Sequence, residues 1–267
     1  MEQRLKEVLA VVNNKGGVGK TTTVQSLAAA LVRNHKDYRV LVIDLDPQCH
    51  LSILNGWNDG SEGRTIYDAL RKGEQIPVYS TERDGVFLSP TTEDIQDIDS
   101  DLFRQMNPKR VLQKCFGLPL DNHTETEMTN IIESFDYVLI DCPPALSQTT
   151  YNAMTVATGL LVPVQMEGLA VNGLGKLIVA MRKVQSELNP NLELRGLLPT
   201  MVDARPNIVK DFIEYLNKSY KGHVCKTIIR RNIKMNEAQT MKKDIYDYKP
   251  YSPVGIDYEM LCKELFD

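Results

Sequence analysis

The sequence has little of what would send a chain into a membrane, along a secretory route or around a metal centre. No apolar stretch reaches the roughly 18 residues that a spanning helix needs. The opening Met1-Glu-Gln-Arg-Leu-Lys-Glu has no apolar segment of signal-peptide type ahead of the first apolar run. The five cysteines (Cys49, Cys115, Cys142, Cys225, Cys262) form no CxxC pair and the four histidines are scattered. That argues against a zinc site and makes reduced thiols the expected state. Internal repeats, low-complexity tracts and a convincing linker are also missing. The expectation is a soluble, cytoplasmic protein.

What is present suits one large α/β domain spanning 1–267, with an ordinary hydrophobic share of 42%. The net charge of −4 excludes a protein that is basic all over, but the charge is uneven. Between Arg205 and Lys243 there are ten Lys/Arg against three Asp/Glu, whereas carboxylates dominate from Asp59 to Asp101. Short apolar runs read as buried strands at 8–12, 40–44, 137–141, 160–164 and 194–198, with a last one at 224–229. Helical spacing covers 21–33, 149–157, 169–188 and 206–220. Such alternation indicates a doubly wound, mostly parallel sheet with helices on both faces. The stretch from 55 to 133 is least regular. It offers a short helix at 65–72, a short strand at 85–89 and a polar surface loop at 120–127 leading into a helix.

Between the first strand and the first helix lies Lys15-Gly16-Gly17-Val18-Gly19-Lys20-Thr21-Thr22. Glycines let backbone N–H groups turn inward, the helix N-terminus favours anions, and a lysine neutralises outer phosphates. Thr21 is placed to offer its hydroxyl to Mg²⁺. The usual GxxxxGK[ST] string needs glycine at position 14, where Asn14 stands, and the loop carries an additional lysine, Lys15. Asp44 and Asp46 follow the second strand and Asp141 ends the third. Carboxylates at these strand ends, beside a phosphate loop, can hold magnesium or orient water. Cys142, next to Asp141, reads as a small packed residue.

The loop and these carboxylates resemble the ParA/MinD family of deviant Walker ATPases, whose signature is the extra lysine. The resemblance implies a P-loop NTPase-like fold, ATP and Mg²⁺ as cofactors, and two ATP molecules sandwiched in a homodimer. Lys15 would reach the partner's nucleotide, Asp46 would activate the attacking water, Asp44 would support the magnesium site and Asp141 would act as the Walker B aspartate. Gly16, Gly17, Val18, Gly19, Lys20, Thr21 and Thr22 would cradle the phosphates. The segment Cys142-Pro-Pro-Ala resembles the family's switch, which senses the third phosphate. Iron–sulfur chemistry, known on this fold, lacks the paired cysteines it requires.

Within the family, Asp46-Pro-Gln48, Pro163-Val-Gln-Met-Glu, Thr200-Met-Val-Asp-Ala-Arg205 and Ile228-Ile-Arg-Arg-Asn-Ile-Lys234 resemble the partition branch. In that branch Arg231 and Asn232 belong to a loop against the adenine, where Arg230 replaces the usual proline. Arg205, Arg231 and Lys234 are the residues the resemblance assigns to DNA binding without sequence preference, in keeping with the basic excess there. A ParB-type adaptor bound at a centromere would stimulate hydrolysis, and the protein would be nucleoid-associated. The alternatives are an ATPase positioning a protein cargo on the nucleoid and a MinD-like spatial regulator. The acidic tail 255–267 speaks against anionic lipid and for a packed helix with Tyr258, Leu261 and Leu265 inward. About a dozen residues precede the loop, so a DNA-reading domain is not expected.

Overall fold

The computed structural model describes residues 4–58, 61–120, 128–165, 170–203 and 206–267. Its strands are β1 (Glu7–Val11), β2 (Val40–Asp44), β3 (Tyr79–Ser80), β4 (Val86–Ser89), β5 (Tyr137–Asp141), β6 (Gly159–Gln165) and β7 (Glu193–Thr200). The helices are α1 (Lys20–Asn34), α2 (His50–Leu54), α3 (Ile66–Lys72), α4 (Ile98–Phe103), α5 (Val111–Cys115) and α6 (Gln148–Val156). They continue with α7 (Ala170–Glu187), α8 (Pro206–Ser219), α9 (Ile233–Thr240), α10 (Ile245–Tyr248) and α11 (Pro253–Phe266).

The sheet order is β3-β4-β2-β5-β1-β6-β7, parallel throughout except for the short edge strand β3. β2 and β5 are buried at every position, which is why they read as continuous apolar runs rather than alternating ones. Alternation decides the face instead. Ala10, Leu41 and Ile43 pack beneath α3 to α8, while Leu9, Val40 and Val42 pack against α1, α9, α10 and α11. The second face is centred on α1 and α11, where Tyr258, Leu261 and Leu265 are buried as their spacing suggests.

The expected strand at 224–229 is a correction. Its ends do bond to β7 and the residues beyond it, through Cys225 N–H to Leu197 O and Ile229 N–H to Pro199 O, both 2.9 Å. In between, the amides of Lys226 and Thr227 donate to the Glu264 carboxylate on α11, at 2.6 and 2.8 Å. The segment therefore forms no continuous ladder with β7: it makes one isolated bridge, Leu197 to Val224, and a second, Val202 to Arg230, follows just past both ends. Residues 121–127 of the expected polar loop lie outside the described residues. In place of the helix expected after that loop there is a single 3-10 turn, Ile131–Ser134.

The order of strands fixes the site. From β1 the chain passes to β2 on one side, whereas β5 to β6 crosses to the other. The C-terminal ends of β2, β5 and β1 are adjacent, with Asp44 paired to Asp141 and Asp141 to Val11. A crevice at such a reversal is where α/β sheets bind ligands.

Candidate functional site

The loop after β1 is held by its own polar side chains. Asn13 donates to Pro163 O (2.6 Å) and accepts from the Lys15 amide (2.9 Å), which ties the start of the loop to β6. At the other end Thr200 Oγ1 donates to Val18 O at 2.8 Å, tying it to β7. Gly17 and Gly19 take left-handed backbone, φ 72° and 91°, which a side chain would resist; Gly19 is the N-cap of α1. That conformation leaves the first amides of a 15-residue helix open to a ligand.

Lys20 is buried, with Nζ 3.3 Å from Lys15 O. Burial pushes its pKa down, and Asp141 and Asp46 nearby oppose that shift. Thr21 Oγ1 donates to Asp141 Oδ2 at 2.6 Å, whereas Asp141 Oδ1 is buried with no hydrogen-bond partner among the described residues. Burial, reinforced by the neighbouring Asp44, raises the Asp141 pKa well above the usual carboxylate range. Asp44 is also raised by burial, to about 6, although three donors hold it. These are Ser52 N–H (2.8 Å), Ser52 Oγ (2.7 Å) and the Asp46 amide (3.1 Å). Asp141 and Asp46 thus lie near one buried lysine, Asp44 stands beside Asp141, and Asp141 keeps an unused buried oxygen. A hard divalent cation with oxygen ligands answers both the charge excess and that vacant lone pair. Cys142 is fully buried and its thiol pKa is driven well up by burial, which fits a packing residue and not a nucleophile.

Gly16, Gly17, Lys20, Thr21, Asp46 and Gln48 line a cleft of about 600 Å³. Its far wall comes from α2, Pro144, Met201 and the end of α9, with Gln239 Nε2 donating to Thr22 Oγ1 at 2.8 Å. A second cleft of about 360 Å³ shares Gly19, Thr22, Met201 and Gln239 with the first. It is lined by Arg231 and Asn232. Arg230 lines it too, with its guanidinium forked onto Asp257 of α11 (2.6 to 3.1 Å) and its amide donating to the same carboxylate at 3.0 Å. Asn232 is the N-cap of α9, its side chain accepting from Lys234 N–H at 2.9 Å.

The structure brings Lys20, Thr21, Thr22 and Asp46 into one cleft, and Asp44 and Asp141 directly behind it. Lys15 is half-buried and is not part of the cleft lining. Lys234 forms an ion pair with Glu237 at 2.8 Å, and Glu237 also accepts from the Tyr248 hydroxyl at 2.6 Å. Arg205 lies outside the described residues. Several residues of the cleft wall escaped the sequence reading, among them His50, Ile53, Leu54, Gln239, Thr240 and Lys242. Gln239 is in the last turn of α9 and Lys242 in the turn that follows, and neither falls in a motif. Among the described residues three other than glycine have left-handed backbone, Cys49, Met201 and Lys242 (φ 55°, 51° and 53°). All three are in the wall of the first cleft or directly beside it, which is where such strain tends to collect.

Comparison with known proteins agrees with this geometry. A family model described as an AAA domain matches residues 6–194. The sporulation initiation inhibitor protein Soj of Bacillus subtilis is 33% identical over 265 residues, covering 97% of this chain and 98% of that protein. The chromosome-partitioning ATPase Soj of Thermus thermophilus is 36% identical over 257 residues, covering 96% and 94%. The chromosome partitioning protein ParA of Myxococcus xanthus is 32% identical, covering 97% and 87%. Among solved structures, cobyrinic acid a,c-diamide synthase of Mycobacterium smegmatis, with bound ATP analog and magnesium, superposes with a TM-score of 0.79. It shares 30% identity over 97% of this chain and 93% of that one. With a P-loop fold, a deviant phosphate loop and full-length likeness to partitioning ATPases, the chain belongs to the ParA/Soj type of the ParA/MinD family and is an ATP hydrolase.

Proposed function

We propose that this ATPase partitions DNA by an ATP-gated cycle of dimerisation on the duplex, the whole chain acting as one ATPase domain. ATP occupies the two joined clefts, phosphates on the loop 15–22 and base beside Arg231 and Asn232. Thr21 and Asp141 hold Mg²⁺, with Asp44 behind them; bound there, the ion supplies charge neutralisation at the phosphate oxygens. The unpartnered Asp141 Oδ1 supports that assignment. Lys20 neutralises the outer phosphates, Asp46 orients the attacking water, and Lys15 reaches the nucleotide of a second copy of the chain.

The observation that carries the DNA reading is the double use of one short segment. Arg231 and Asn232 line the nucleotide cleft, while Arg231 and Lys234 present charge at the surface of the same α9 end. The Arg231 amide also bonds Val202 O at 3.0 Å, which places this end beside the stretch leading to Arg205. Nucleotide state and the DNA-facing cations are therefore mechanically close. The Lys234–Glu237 pair is solvent-exposed and hence weak enough to be exchanged for a phosphate. A ParB-type adaptor on centromeric DNA then triggers hydrolysis and release, and the protein works on the nucleoid in the cytoplasm.

The test is binding to random-sequence duplex DNA with ATP, with ADP and without nucleotide, alongside Lys20→Ala and an Arg231→Ala/Lys234→Ala double variant. Salt-sensitive binding with ATP alone, lost in both variants, is the expected result. Binding that ignores nucleotide, or none under any condition, would remove DNA from the function and leave the ATPase.

A further inference from the structure

The cleft wall opposite the phosphate loop ends in a lysine at a place where the backbone asks for glycine. Lys242 has φ 53°, in the turn between α9 and α10. The turn is closed by Lys242 N–H to Gln239 O (3.0 Å) and Lys243 N–H to Ala238 O (2.9 Å), so the conformation is built in. This backbone is strained for a lysine and would not be for a glycine. Fold stability therefore does not account for the residue.

Its surroundings suggest what does. Lys242 lines the 600 Å³ cleft together with Gly17, Lys20, Thr21 and Asp46. The carboxylates that follow it in the chain, Asp244 and Asp247, are both taken by Arg83, the former at 2.6 Å. Among the described residues no ion pair or hydrogen bond involves the Lys242 ammonium, and the residue is exposed to solvent. A cation without a carboxylate, on a turn fastened to the phosphate loop through Gln239 and Thr22, is available to an anion entering the cleft. We infer that Lys242 is a third lysine for the nucleotide's polyphosphate, reaching it from the wall facing the loop that carries Lys15 and Lys20. This rests on the cleft being the ATP site.

Substitution by glycine separates this role from a structural one, because the two move opposite observables. Lys242→Gly relieves the backbone, so the thermal midpoint of the nucleotide-free chain should be equal or higher. Its Kd for ATP and for ADP should nevertheless rise about tenfold, the size of one charge-assisted hydrogen bond at a solvent-accessible site. The salt dependence of binding should become shallower as one charge is lost. Lys242→Asn, also tolerated in left-handed backbone, should repeat the loss, and Lys242→Arg should restore most of the affinity. Titration of fluorescent ATP and ADP analogues at two salt concentrations reads all of this. An unchanged Kd in a folded Lys242→Gly or Lys242→Asn chain would overturn the inference, as would an equal loss in Lys242→Arg. Lys20→Ala runs alongside. If it too binds nucleotide normally, the assignment of the cleft fails, and not only that of Lys242.

Discussion

Three aspartates stand at or just beyond strand ends, one lining the cleft and two buried behind it, and their oxygens are not equivalent. Asp44 commits both oxygens to Ser52 and the Asp46 amide, and so shapes the turn that carries Asp46. Asp46 gives one oxygen to the Gln48 amide at 3.0 Å and itself lines the cleft. Its place there suits a group that orients water. Asp46→Ala should leave ATP affinity within a few-fold while single-turnover hydrolysis falls by about 10² to 10⁴, the usual worth of a positioned base. Comparable losses in both would demote Asp46 to a structural residue. Asp141 behaves differently. A pKa raised by burial means that the ionised form is disfavoured by folding, so stability is fullest below the unfolded pKa and is lost as pH rises through the folded one. Asp141→Asn keeps an acceptor for Thr21 and removes the charge. At neutral pH with chelator it should stabilise the nucleotide-free chain by about 1–3 kcal/mol while abolishing hydrolysis. Calorimetry showing a lower midpoint would contradict that trade.

At the scale of elements, the segment from Val224 to Asn232 is held less by the sheet than by α11. Glu264 takes two of its amides and Asp257 takes a third together with the Arg230 guanidinium. Asp257 is buried, so truncation leaves donors without their partner. Asp257→Ala should cost about 1–2 kcal/mol and, by loosening the wall of the second cleft, raise the Kd for ATP. Denaturant unfolding combined with nucleotide titration would show whether both effects appear; an unchanged Kd would mean that the wall stands without Arg230. The same segment shows where reading the sequence stopped short. Strands β1, β2, β5, β6 and β7 were legible because a parallel sheet buried on both faces demands continuous apolar residues. The run at 224–229 has that composition too, but the competitor for its amides is a glutamate some 40 residues on in the chain. Helices α4 and α5 were invisible for a related reason. They are short and fixed from afar, as by Leu112 N–H to Asn152 Oδ1 at 2.9 Å. In the site, the motif-bearing residues were legible. Gln239 and Lys242 were not, since nothing in the sequence marks the last turn of a helix, or the left-handed turn after it, as facing a cleft.

For the whole molecule, the deciding feature is Lys15. Its backbone is fixed by Asn13 and it is not part of the lining of its own chain's cleft; in the proposed sandwich it would reach a neighbour's nucleotide. The energy of closing two chains over two nucleotides would come from such cross-contacts, so the assembly should appear with ATP and vanish after hydrolysis. An interface built that way would add no new fold; it would use the loop, the Asp46 turn and the Pro144 segment that already border the cleft. The measurement that tests this most directly is sedimentation velocity of the Asp46→Ala chain, with and without Lys15→Ala, in ATP, ADP and no nucleotide. A dimer that forms with ATP only, and dissociates when Lys15 is removed although ATP still binds, is the expected result. A monomer in ATP at saturating nucleotide, or a dimer indifferent to both nucleotide and Lys15, would contradict the sandwich on which the partition cycle depends.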